Sequence, residues 1–192
     1  MRIIAGHLRH RIIDMVNIES TRETQDKVRG AIFNMIGPYL DCEYCLDLFS
    51  GSGAMAIEAY SRGARHIVLN DLNKKAYDVS KNNCQKLGIK DFEIYNMDYL
   101  DFIKNDNHKY DLIILDPPYK MDDIENILIK VKPLLTNNGM IVYEMGIDSK
   151  YPTTLDNLEL IKNKEYGIKR VIVYKEKKWF IWIQVLLMHI VQ

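Results

Sequence analysis

From residue 44 onward the chain alternates short apolar runs with longer amphipathic ones, a rhythm that leaves few folds open to it. YCLDLFS (44–50), ARHIVLND (64–71), DFEIYNMD (91–98), YDLIILD (110–116) and GMIVYEM (139–145) have the length and residue types of strands. Between them AMAIEAYSRG, LNKKAYDVSKNNCQKLG, YLDFIKN and DDIENILIKVKPLL read as helices. Ala76, Val79 and Leu87 share one face of the second, and Gly63 and Gly88 stand where C-terminal caps belong. LELIKNKEYG and KRVIVYKE then read as a closing antiparallel pair. The pattern predicts an α/β fold: a mostly parallel, seven-stranded, doubly wound sheet with helices on both faces. Ligands of such sheets bind beyond the carboxyl ends of the strands.

Three regions follow from this reading. Residues 1–40 form a substrate-side extension, 41–177 the core, and 178–192 an apolar tail. Residues 1 to 18 read as a small β ribbon, and TRETQDKVRGAIFNMIG (21–37) as a helix. Thr21 is its N-cap, Glu23 and Asp26 favour its dipole, and Val28, Ile32, Met35 and Ile36 make its apolar face. Gly30 sits inside that helix at a cost of about 1 kcal/mol relative to alanine. The tail is too short for a bilayer, which takes about 20 apolar residues, so no membrane partner is expected. It is read instead as an interface or packed element on a chain expected to be a monomer.

Lys and Arg total 26 and Asp and Glu total 26, so any nucleic acid must be met by a local patch. Arg2, His7, Arg9, His10 and Arg11 form one such patch, without an acid among residues 1–13. Lys162, Lys164, Lys169, Arg170, Lys175, Lys177 and Lys178 form another. Arg9 and Arg11 also interrupt any secretory h-region. Three cysteines suit a reducing cytoplasm. Cys42 and Cys45 form a C-x-x-C that leads into a strand rather than a helix N-terminus, and no second pair follows, so neither a redox site nor a metal is expected.

The strand ends carry the chemistry. DLFSGSG places Asp47, Phe49, Ser50, Gly51 and Gly53 in a glycine turn before a helix, where the backbone can approach a ligand closely. No Gly-Lys-Ser/Thr follows, which argues against a nucleoside triphosphate, and the third glycine of a dinucleotide loop is missing. Asp71, beside Leu72, stands twenty residues after Gly51, where an acid can take both hydroxyls of a ribose. Asp98, beside Met97, is placed for an adenine amine. These residues suit either NAD or S-adenosylmethionine.

Asp116-Pro117-Pro118-Tyr119 favours the methyl donor. A carboxylate and a proline carbonyl can both accept from one exocyclic NH₂ and so aim its lone pair at a methyl group. Proline adds rigidity without a competing donor, and tyrosine offers a stacking face for an extruded base.

The corner resembles the [DN]-P-P-[YFW] motif of class I, Rossmann-like, amino-methylating S-adenosylmethionine-dependent methyltransferases. MRIIAG, T-R-x-T-x-D-x-V-R-x-A-x-F-N (21–34), L-D-L-F-S-G-S-G-A-x-x-x-E-A-x-S-R-G-A (46–64) and L-D-P-P-Y resemble, in order, the bacterial 16S rRNA (guanine-N2)-methyltransferases of the RsmD type. The resemblance runs from residue 1 to about 174. It implies methylation of one guanine N2, position 966, on an assembled or assembling 30S subunit, with S-adenosylhomocysteine as product. It implies cofactor contacts for Asp47, Phe49, Gly51, Gly53, Asp71 and Asp98, and guanine held by Asp116 to Tyr119. Arg2, Arg22, Thr24 and Arg29 would lie by the active site or the RNA, with Arg9 and Arg11 on the RNA side. Gly30 and the tail depart from that pattern. Two other functions remain open: an adenine-N6 or cytosine-N4 methyltransferase of DNA, and an rRNA-binding assembly factor that keeps the fold without the activity.

Overall fold

A computed structural model describes residues 1–16, 26–118, 121 and 123–177. Its elements in chain order are α1 (Asp26–Ile36), β1 (Cys42–Asp47), α2 (Ala54–Ser61), β2 (Ala64–Asn70), α3 (Lys74–Lys86), β3 (Phe92–Tyr95), α4 (Tyr99–Asn105) and β4 (Tyr110–Leu115). There follow α5 (Ile124–Val131), a 3₁₀ turn at Lys132–Leu134, β5 (Leu135–Gly146), β6 (Thr154–Leu155), β7 (Leu158–Tyr166) and β8 (Lys169–Glu176). One sheet runs β3-β2-β1-β4-β5-β8-β7-β6. Its first five strands are parallel, and β8, β7 and β6 are antiparallel. The seven expected strands are all present. The eighth, β6, has only two residues, too few to show a period in sequence.

The central strands are apolar throughout because both of their faces are covered. Cys45, Ile67, Leu69, Leu112, Ile114, Val142 and Val173 point to one side, where they pack with Ile32 and Phe33 of α1 and Met55, Ala56 and Ile57 of α2. Leu46, Val68, Ile113, Leu115, Ile141 and Tyr143 point to the other, against Phe102 of α4 and Ile127, Leu128 and Val131 of α5. Strand alternation thus builds two cores from one sheet. Among the described residues no helix is long and apolar enough to cross a membrane. All three cysteines are free and buried, and burial pushes the thiols of Cys42 and Cys84 up to about 12, far from a reactive thiolate.

The N-terminal ribbon is smaller than expected. It has one bridge, Arg2 to Ile12, closed by a turn in which Gly6 and His10 have positive φ. Three of its amides turn to α2: Ile4 and Ala5 donate to the Glu58 carboxylate at 2.9 and 3.0 Å, and Leu8 donates to Ser61 Oγ at 2.9 Å. The hairpin is therefore a short ladder, with Ile3 N donating to Arg11 O at 2.9 Å and Ile13 N to Met1 O at 3.0 Å, that is also docked on α2. Gly6 allows this contact, since a Cβ there would lie 1.7 Å from the Ser61 carbonyl oxygen. Thr21 and Glu23, the expected start of α1, lie outside the described residues, as does the tail 178–192.

Candidate active site

The loop after β1 is held from both sides. Ser50 N donates to Asn70 O at 2.9 Å, and Gly53 N turns back to Ser50 O at 2.7 Å. Gly53 caps α2 with φ 79°, and a Cβ there would crowd Leu69 Cδ2 and Ser80 Cβ at 3.0 and 3.1 Å. Beneath the loop, Asp47 is 1% exposed and accepts from Ala56 N, in the first turn of α2, at 3.2 Å. Burial raises its carboxyl to about 7, the Ala56 N–H opposes this, and the Asp71 charge adds to it. Asp47 thus supports the loop from below.

Asp71, just past β2, bridges two elements. One of its oxygens accepts from Gly51 N and the other from Asn73 N, each at 2.8 Å. Burial raises its carboxyl, and these two N–H groups partly offset the effect. A carboxylate has about four acceptor positions, so Asp71 keeps capacity for further donors beside the loop. Leu72 is exposed, and Asn96 Nδ2 donates to the carbonyls of Asp71 and Leu72 at 2.8 and 2.9 Å. Asp98 caps α4 by accepting from Leu100 N at 2.8 Å. Met97 is half-buried, and Phe49 lies against Tyr99 with ring centroids 5.5 Å apart.

Asn70 was missed by the sequence reasoning. It is 1% exposed, and its Nδ2 donates to Leu48 O at 3.3 Å and Met97 O at 3.2 Å, tying together the ends of β1, β2 and β3. The available signal was an amide closing an otherwise apolar run directly before Asp71.

At the end of β4, Asp116 is half-buried, Pro117 buried and Pro118 exposed. The carbonyl of Pro118 accepts from Met121 N at 2.8 Å. Asp116, Pro117 and Pro118 line a small cavity with Met121, Tyr143 and Glu144. Tyr119 lies outside the described residues, as do Arg22 and Thr24.

The basic residues separate into two groups. Arg2, Arg9 and Arg11 are exposed, and Arg9 lines an open groove with His7, Tyr39 and Gly63. That groove sits at the C-terminal end of α2, roughly 12 Å from the glycine loop at 1.5 Å per residue. Arg29, expected by the active site or the RNA, is instead buried away from the surface arginines. Its side chain is 0% exposed, with Nε 3.3 Å from Glu58 Oε2 and Nη2 donating to Arg2 O and Asp26 Oδ1 at 2.5 and 3.0 Å. Its guanidinium is engaged in holding the hairpin. In the second basic cluster, Lys169 pairs with Glu144 and Arg170 with Glu165, while Lys162 and Lys164 are exposed.

The model of the family described as conserved hypothetical protein 95 matches residues 1–175. YlbH of Bacillus subtilis (strain 168) is 37% identical over 183 residues, covering 92% of this chain and 100% of the relative. The ribosomal RNA small subunit methyltransferase D of Haemophilus influenzae is 34% identical over 181 residues, covering 91% of this chain and 93% of the relative. The solved structure of Escherichia coli yhhF superposes with a TM-score of 0.82 at 25% identity, over 92% of this chain and 97% of that one. The fold is that of the class I methyltransferases.

Proposed function

This chain belongs to the conserved hypothetical protein 95 family, and we propose that it methylates 16S rRNA, moving a methyl group from S-adenosylmethionine to the N2 of a guanine. The Asp116-Pro117 corner, at the strand end beside the glycine loop, is the observation that carries this reading.

The loop suits the cofactor on two counts. Ser50 is 7% exposed and its Oγ has no hydrogen-bond partner among the described residues, so a buried hydroxyl is available where a ligand would lie. The crowding around Gly53 keeps the backbone close to that space. Asp71 would take the ribose hydroxyls, with Leu72, Met97, Asp98 and Phe49 around the adenine, and Ser50, Gly51 and Gly53 along the remainder. When bound, S-adenosylmethionine supplies an electrophilic methyl group on a sulfonium.

The guanine amine is a weak nucleophile because its lone pair is delocalised into the ring. Asp116 and the Pro117 carbonyl accept its two hydrogens, which localises the lone pair and fixes its direction. The amine becomes cationic as it attacks and the methyl–sulfur bond breaks to leave S-adenosylhomocysteine; the neighbouring Asp116 carboxylate stabilises that charge until the methylated amine gives up a proton to water. Tyr119 would stack on the extruded base. Arg2, Arg9 and Arg11 are exposed and suited to phosphates, which position an RNA without reading its sequence.

The test offers labelled S-adenosylmethionine with 30S particles from a strain lacking the enzyme, with naked 16S rRNA and with duplex DNA. Label in particles or rRNA at one guanine, position 966 by this reading, is the expected result. Transfer to DNA would replace the substrate, and particle binding without any transfer would replace the activity. Asp116→Ala should lower transfer about 10²–10³-fold while cofactor affinity, read by calorimetry, stays within about threefold.

A further inference from the structure

Glu144 is 3% exposed and forms an ion pair with Lys169, whose side chain is 11% exposed. The proposed chemistry uses neither residue. Burying two charges costs several kcal/mol per ion, so such a pair is weak evidence for added stability. Its position suggests another use. The β4–β5 register pairs Leu115 with Tyr143, so the next residues are neighbours, Asp116 just past the end of β4 and Glu144 still within β5, opposite Val171 of β8. Both line the cavity that also holds Pro117 and Pro118. Lys169 reaches Glu144 from β8, where Lys169 pairs in register with Gly146.

We propose that Glu144 and Lys169 select guanine as the base whose amine is methylated, an inference that rests on the function proposed above. The Watson–Crick edge of guanine presents, in order, the N2 amine, the N1–H donor and the O6 acceptor. With the amine on Asp116 and Pro117, the adjacent N1–H needs an acceptor and O6 beyond it needs a donor. A second carboxylate followed by an ammonium is the complementary series. Adenine or cytosine, held by its own amine at Asp116, would turn a ring nitrogen lone pair towards Glu144. That leaves two acceptors facing each other in a desolvated site, the arrangement that discriminates most strongly between substrates. Lys169 also offsets the repulsion between the two neighbouring carboxylates.

The experiment uses 30S particles reconstituted from ligated rRNA in which the mapped target is guanine or 2-aminopurine. The analogue keeps the 2-amine but has an acceptor at N1 and no O6. Wild-type protein should prefer guanine in kcat/KM by at least about 100-fold. Glu144→Gln, whose amide can donate to N1 or accept from N1–H, should shrink that preference about tenfold or more. Lys169→Met should likewise shrink the guanine to 2-aminopurine ratio about tenfold or more, since only guanine has O6. A ratio does not depend on the fraction of folded protein, so instability alone cannot produce these outcomes. Equal loss on both substrates in both variants would assign the pair a structural role and overturn the inference alone. No wild-type transfer to guanine would overturn the function it rests on as well.

Discussion

Glu58 and Asp71 are carboxylates of one β-α-β unit, placed towards opposite ends of it, and they differ in how many donors they face. Glu58 is 0% exposed and accepts from Ile4 N, Ala5 N, Arg29 Nε and Arg62 Nε. That fills about all the positions a carboxylate has. Asp71 accepts from Gly51 N and Asn73 N and keeps room for more. A saturated buried acid is scaffold, and a partly satisfied one at a strand end is available to a ligand. Arg29 and Arg62 follow the same division: both are turned inward to Glu58, whereas Arg2, Arg9 and Arg11 stay at the surface.

The largest effect expected from this contrast is at Glu58. Glu58→Ala leaves two buried guanidinium groups without their carboxylate and should cost about 3–5 kcal/mol in urea unfolding. A loss below about 1 kcal/mol would mean that the hairpin is docked by its apolar contacts instead.

Asp47 gives a smaller effect with a pH signature. Its carboxyl is held at about 7 in the folded chain, against about 4 when unfolded. Between these values the folded state binds the extra proton, so this contribution to stability falls as pH rises from about 4 to about 7 and is level above. Asp47→Asn should remove that slope, gaining on the parent by on the order of 1–3 kcal/mol between about pH 5 and pH 8. An equal difference at both pH values would contradict the buried-acid assignment.

Asp71→Ala should weaken S-adenosylmethionine binding about tenfold or more in calorimetry and cost about 1 kcal/mol of folding stability. Loss of stability with unchanged affinity would make Asp71 scaffold like Glu58 and erase the contrast. The smallest effect is at Gly30, whose added Cβ would meet Ile4 Cδ1 at 3.4 Å, ordinary contact distance. Gly30→Ala should stabilise α1 by up to about 1 kcal/mol in thermal unfolding. Nothing in the structure explains the glycine.

The sheet was legible in sequence because its strands are buried on both faces and its helices are periodic. Asp71, Asp98 and Asp116 were legible as acids at strand ends, since topology fixes where those ends go. Hydrogen-bond partners were not. The resemblance put Arg29 by the active site or the RNA, but its partner Glu58 lies 29 residues away, a pairing that local spacing cannot reveal. Asp47 looked like its neighbours at the other strand ends until its burial under the loop was seen. Asn70 carried only the faint signal of an amide in an apolar run.

The central claim is that the Asp116-Pro117 corner presents a guanine amine to the methyl donor. Labelled RNA from the particle reaction, digested to nucleosides and separated by chromatography, tests it most directly. All label is expected in N2-methylguanosine. Label in N6-methyladenosine or N4-methylcytidine would contradict it.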